Sequence, residues 1–194
     1  SPSFATRRVT RSAFTTYSLD QISSSLANEA NSIHCDAQGR VWIGTDGAGI
    51  ARYDGTNFTR FTTQEGLLSD YINVIRSDPD GTVWIGTAKG VSRYDGKSFV
   101  NFTKSHERLL GNSVKSIDRD SQGRHWFGTL GGVVRFDGQT WSSMDVGDGL
   151  SGSGVYGVCE SPRGIYWIAT DKGITRYEPR KMDLVAPMLS VEID

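Results

Sequence analysis

Three histidines, His34, His106 and His125, are the side chains of this 194-residue chain best suited to move a proton or hold a metal. They occupy three different places in a repeated pattern. No two stand at ligand spacing, and none forms a nucleophile–base–carboxylate series. The stretch from Asp145 to Gly149, DVGDG, lacks the later Glu of a calcium-binding loop and reads as a glycine-rich approach to a strand. Asp36, Asp78 and Asp120 each open a turn and read as Asx-type caps rather than metal ligands. Cys35 and Cys159 are too few for a disulfide framework and read as small buried hydrophobes. No catalytic residue, metal site or cofactor is expected.

Binding chemistry is better represented. With 21 basic and 22 acidic residues the net charge is −1, so the concentrated cationic footprint of a nucleic-acid binder is missing. No stretch approaches the length of an apolar membrane span, so contact with a membrane is expected only through segments outside this sequence. The first residues, SPSFATRR, lack the apolar core of a signal peptide; because they also lack Met, this says little about compartment.

The elements that would position a site are written into a repeat. Trp42, Trp84, Trp126 and Trp167 recur at spacings of 42, 42 and 41 residues, each inside a phrase of the form VWIGT…RYDG. The second copy is the fullest. YINVIRS is a first strand anchored by Ile72 and Ile75, DPDG a turn, TVWIGT a strand apolar on both faces, and VSRY a third strand. Asp95-Gly96 is a strong hairpin signal, and SFVNF, with Phe99 and Phe102, the fourth strand. Nothing here has helical periodicity. The reading is all-β: a β-propeller of four-stranded antiparallel blades. Gly44, Gly86 and Gly128, with Ala169 in the fourth copy, are expected to make room for an indole of the adjacent blade. Arg52, Arg93, Arg135 and Arg176 are expected to bind neighbouring carbonyls or the Asp of an adjacent turn.

Residues that all four units share serve what every blade needs, so specificity is expected where the units differ. Two loop sets meet the criterion. The loops leading into each first strand offer Asn28, Glu29, Asp70, Tyr71, Asn112 and Tyr156. Those joining second to third strands offer Asp46, Lys89, Asp171 and Lys172. Carboxylates, amides, ammonium groups and phenols in such a mixture suit a glycan or another small polar ligand.

The pattern D..G..WIGT..G..RYDG..F..F, present in four consecutive copies over about residues 14–179, resembles the two-component-regulator propeller repeat. The resemblance implies an extracytoplasmic, ligand-detecting sensor segment of a bacterial signalling protein, periplasmic or extracellular, followed by a small β-sandwich. Residues 1–13 then form an extension, 14–180 the propeller, and 181–194 a linker or first strand of the sandwich. Members of that family have more blades than four and carry output domains that this sequence lacks. A protein-binding or oligomerisation scaffold is the second reading. A metal-dependent propeller lyase is the third, and it lacks the cluster of a histidine with acidic residues that such a lyase would need.

The fourth copy ends in Glu178-Pro179 where the others have Asp-Gly, and Pro cannot supply the positive φ of that turn. A strand over residues 14–18, with Phe14 and Tyr17 spaced like Phe58 and Phe61, is expected to pair with ITRY and close the molecule. Two assemblies satisfy this: a four-bladed monomer, or an eight-bladed C2 homodimer made by strand exchange. The segment KMDLV is an alternative fourth strand.

Overall fold

A computed structural model describes residues 15–18, 29–106 and 109–179. Among these residues fifteen strands form four antiparallel meanders in chain order. The first blade contains β1 (Ala30–Cys35), β2 (Val41–Thr45), β3 (Ile50–Tyr53) and β4 (Phe58–Phe61). The second contains β5 (Ile72–Ser77), β6 (Val83–Thr87), β7 (Gly90–Tyr94) and β8 (Phe99–Phe102). The third contains β9 (Val114–Arg119), β10 (His125–Thr129), β11 (Gly132–Phe136) and β12 (Trp141–Met144). The fourth contains β13 (Val155–Glu160), β14 (Tyr166–Thr170) and β15 (Gly173–Tyr177), three strands among the described residues. The segment KMDLV and the residues after it lie outside the described residues.

Local chemistry sets the hairpins. Gly55, Gly96 and Gly138 take φ of 100°, 98° and 100°, and the preceding Asp caps each turn; Asp54 Oδ1 accepts the amides of Thr56 and Asn57 at 2.9 and 2.8 Å. The glycine-rich approach at Asp145 becomes a short 3-10 turn whose first amides Asp145 caps. The same device recurs at Thr62, where Glu65 completes a capping box.

Packing runs in one direction. Trp42 lies in a buried cluster with Ile72, Ile75, Val83, Ile85 and Tyr94 of the second blade. Trp84 likewise meets Phe127 and Phe136 of the third, and Trp126 meets Tyr166 and Tyr177 of the fourth. The repeated arginines were expected on carbonyls or carboxylates; Arg176 does meet one, Glu178 Oε2 at 2.8 Å, but Arg52, Arg93 and Arg135 sit 5.7, 5.8 and 5.9 Å from the indole centroids of their own blades. Register explains this, since each is directly paired with its Trp across the second and third strands. The repeated glycines also make room for something other than an indole. A Cβ on Gly44 would stand 2.4 Å from Ile72 Cγ2, so the small residue admits an aliphatic side chain of the next blade's first strand.

The ends of the row differ from its middle. On the fourth blade Trp167 is 43% exposed and Ile174 70%, whereas their counterparts in the other blades are buried. On the first blade Ile33 is 70% exposed, whereas its counterparts Ile75, Ile117 and Val158 are buried. Both cysteines, read as buried, are exposed because they belong to these two end faces. The expected pairing of residues 14–18 with β15 is also corrected. Residues 15–18 hold no strand, and Tyr17 rests on the first blade, 5.5 Å from the rings of both Tyr53 and Phe58, its hydroxyl 3.3 Å from that of Tyr53. Phe14 lies outside the described residues.

Candidate functional site

At one end of each blade the first strand turns into the second, and there the expected Asx caps do more than cap. Asp36 Oδ1 accepts the amides of Gln38 and Arg40, and Oδ2 accepts the Trp42 indole N–H at 2.7 Å and Arg40 Nε at 2.6 Å. Asp120 repeats the pattern with Trp126 and Arg124 and also accepts the Tyr166 hydroxyl at 3.1 Å. Asp78 accepts the Trp84 indole at 2.8 Å and contacts His125 Nε2 at 2.9 Å and Arg119 Nε at 3.3 Å. Burial alone would raise these carboxyls. The indole and the cationic partners of Asp36 and Asp120, and His125 and Trp84 beside Asp78, outweigh it and hold all three below the usual carboxylate range. Burial and the Asp120 charge push the Tyr166 phenol up to about 12. With every charge partnered, these groups tie turns to blades rather than await a reactant. Ser161 replaces the Asp in the fourth blade, and its buried Oγ has no hydrogen-bond partner among the described residues.

Two cavities open at this same end. One of about 310 Å³ between the third and fourth blades is lined by Asp118, Arg119, Cys159, Glu160 and Tyr166. Its neighbour of about 130 Å³, between the second and third blades, is lined by Arg76, Asp78, Asp118 and His125. Burial raises the Asp118 carboxyl, although the Val158 amide donates to it at 3.0 Å. The cavities lie at the end opposite to the loops singled out from sequence. Among the described residues no three His, Cys, Asp or Glu side chains gather as a metal site.

At the other end the two predicted loop sets do meet. Asp46 N donates to Glu29 O, Ala88 N to Tyr71 O, Leu130 N to Ser113 O and Asp171 N to Gly154 O, one link per blade. This brings Glu29, Asp46, Tyr71, Lys89, Asn112, Asp171 and Lys172 to one end of the molecule, all exposed; Asn28 lies outside the described residues. Their freedom differs. The Asp70 carboxylate is engaged as a cap, accepting Thr63 N at 2.8 Å and Thr63 Oγ1 at 3.2 Å. Asp171 Oδ1 accepts the amide of Gly154 at 3.0 Å. Tyr71 is 55% exposed, and its ring lies over Gly47.

Beside these loops the inner strands carry a feature that sequence reasoning missed. Each register slips by one residue at the same place, at Asn31, Asn73, Lys115 and Tyr156. Such bulges re-aim a side chain. Here they line up from blade to blade: Asn31 Nδ2 donates to Ile72 O at 3.3 Å, Asn73 Nδ2 to Ser113 Oγ at 3.4 Å, and Lys115 Nζ to Asn73 Oδ1 at 3.3 Å. Tyr156, singled out from sequence as a loop residue, ends the row inside β13 and is 53% exposed. The only sequence signal for the row was the constant spacing from each bulge residue to the Trp that follows it, 11 residues throughout.

Three stretches, residues 24–47, 66–89 and 108–131, match the profile of the two-component regulator propeller. Each runs from the loop before a first strand through the second strand and its Trp. These three stretches are similar to the two-component-regulator propeller repeat. Among solved structures, the repeats superpose on the extracellular domain of BT3049 from B. thetaiotaomicron, a protein assigned to a hybrid two-component system. The TM-score is 0.74 at 21% identity, over 93% of this chain and 27% of that one. A catalytically inactive virginiamycin B lyase from Staphylococcus aureus superposes with a TM-score of 0.59 at 16% identity, over 79% of this chain and 57% of that one. The chain thus spans about a quarter of the first and somewhat over half of the second, and at these identities the likeness is one of fold. No curated protein matches it.

Proposed function

We propose that these propeller repeats form a non-enzymatic recognition segment of an extracytoplasmic bacterial sensor, which takes a glycan or other small polar ligand at the loop end. The observation that supports this is the row of bulges. An identical backbone device presents two amides, an ammonium group and a phenol side by side, next to loops whose exposed side chains differ between blades. Repeated scaffolding with unrepeated side chains is what selective hydrogen bonding to a polyhydroxylated ligand requires, and an exposed tyrosine adds a flat face for the apolar side of a sugar ring. The repeat family and the extracellular domain it resembles support placement outside the cytoplasm. A glycan array followed by calorimetry tests the reading. A bound glycan is expected to lose at least about tenfold in affinity, roughly 1.4 kcal/mol, in Lys115→Ala and in Tyr156→Ala. Failure of glycan and polar-metabolite panels to bind, or binding indifferent to both substitutions, would refute it.

A further inference from the structure

We propose that this chain pairs head to tail with a second copy of itself, the open face of each fourth blade docking on the open face of the other copy's first blade, to close a ring of eight blades. Three internal interfaces define the rule for such a contact. Each blade offers its Trp, the small residue two positions later, and the third-strand aliphatic paired with that residue: Ile50, Val91 and Val133, all buried. The next blade answers with two aliphatics of its first strand, such as Ile72 and Ile75.

The two end faces hold the unmatched halves of this contact. Trp167, Ala169 and Ile174 are the offering half. The receiving half is at the other end: Ile33 pairs with Ile43 as Ile75 pairs with Ile85, and Ala30 pairs with Thr45 as Ile72 pairs with Thr87. Side-chain sizes are exchanged in a complementary way. Inside the chain a Gly faces an Ile or Val, Gly44 against Ile72 and Gly128 against Val155. At the ends the same positions hold Ala169 and Ala30, so one side has gained a methyl group where the other has given up a branched chain.

A second pair of positions agrees. His34 Nε2 and Ser77 Oγ are 2.7 Å apart across the first interface. By strand register the counterpart of His34 in the fourth blade is Cys159, paired with Trp167, and the counterpart of Ser77 in the first blade is Cys35, paired with Val41. Docking therefore brings the chain's two cysteines face to face. The occupant is a second copy because a single chain leaves Ile33 and Ile174 each 70% exposed, while two copies related by a twofold axis cover both faces twice. Eight blades also lie within the range that propellers adopt.

Light scattering of the wild-type chain should give twice its 21.3 kDa. Trp167→Asp, a change on an exposed face, should give a monomer with an unchanged circular dichroism spectrum. Diamide supplies an independent readout: it takes up two electrons and two protons as the thiols of Cys159 and Cys35 join. A disulfide-linked dimer is expected on a non-reducing gel, lost in Cys35→Ser and in Cys159→Ser. A wild-type monomer, whose faces would then be left for further blades of a longer chain, overturns the proposal. So does a disulfide formed within one chain, or a ladder of higher oligomers.

Discussion

At the scale of single residues, the buried groups with displaced pKa values at the blade interfaces pull stability in opposite directions as pH falls. His34 is held below its ordinary value by burial and then by Arg76, with Asp36 opposing, and its Nε2 accepts the Ser77 amide at 3.0 Å. A histidine depressed in the folded state gives stability that is intact above about pH 6.5 and is lost as pH falls toward the folded value. Asp118, raised by burial, has the reverse sign: the folded state gains as pH falls through its raised value toward about 4. Asp36, Asp78 and Asp120 add nothing to either slope until pH drops below about 4, where their stabilisation is lost. Urea unfolding from pH 7 to pH 5 should therefore show a decline in the wild type that is reduced in His34→Gln. Parallel curves for the two proteins would remove His34 from this account. None of this could be read from the residue types. That Asp36 opens a turn follows from its place before a glycine three residues on, Gly39, but the bond from its other oxygen to Trp42 depends on how the sheet twists the indole back over the turn.

At the scale of strands and blades, the small residue after each Trp decides how close the next blade can come. Gly44→Ala should destabilise by about 1–3 kcal/mol in urea, because the added methyl group meets Ile72 Cγ2 at 2.4 Å and Cβ at 2.9 Å within a packed interface. Gly157→Ala, where an added Cβ meets nothing within 4 Å, should be neutral or stabilising by a few tenths of a kcal/mol. Equal losses at the two positions would mean that backbone freedom, not interface distance, explains the glycine. The period of the strands was plain in the sequence because the Trp phrase recurs at a fixed spacing and a glycine closes each turn between first and second strands, at Gly39, Gly81, Gly123 and Gly164. The bulges were not, since every blade carries the same extra residue, so the repeat period is uniform and the slip is recognisable only when register is known. The direction of packing was likewise hidden. A phrase repeated four times does not say whether its Trp points to the blade before or the blade after.

At the scale of the whole molecule, three interfaces join four blades, and the last blade has the least support. Among the described residues β15 pairs with β14 alone, and its residues are the least buried of any third strand. Repeats stabilised by their neighbours open from the ends. In the monomeric Trp167→Asp variant, hydrogen exchange should accordingly be fastest at Gly173–Tyr177 and slowest in β6 and β10; uniform protection across all four blades would contradict this. The fourth copy's departure was legible in Glu178-Pro179, but the destination of the N-terminal residues was not, because Tyr17 settles on the aromatic pair of the first blade rather than on the strand whose turn is missing. Ser161 in place of a carboxylate, and the open face of the fourth blade, also divide the four repeated indoles into two optical classes. Trp42, Trp84 and Trp126 are dry and bonded through nitrogen to a fixed carboxylate, while Trp167 meets water. In a single chain the red, quencher-accessible part of the intrinsic fluorescence thus comes from Trp167 and the half-buried Trp141, and Trp167 is an unlabelled gauge of whatever comes to rest on the last blade.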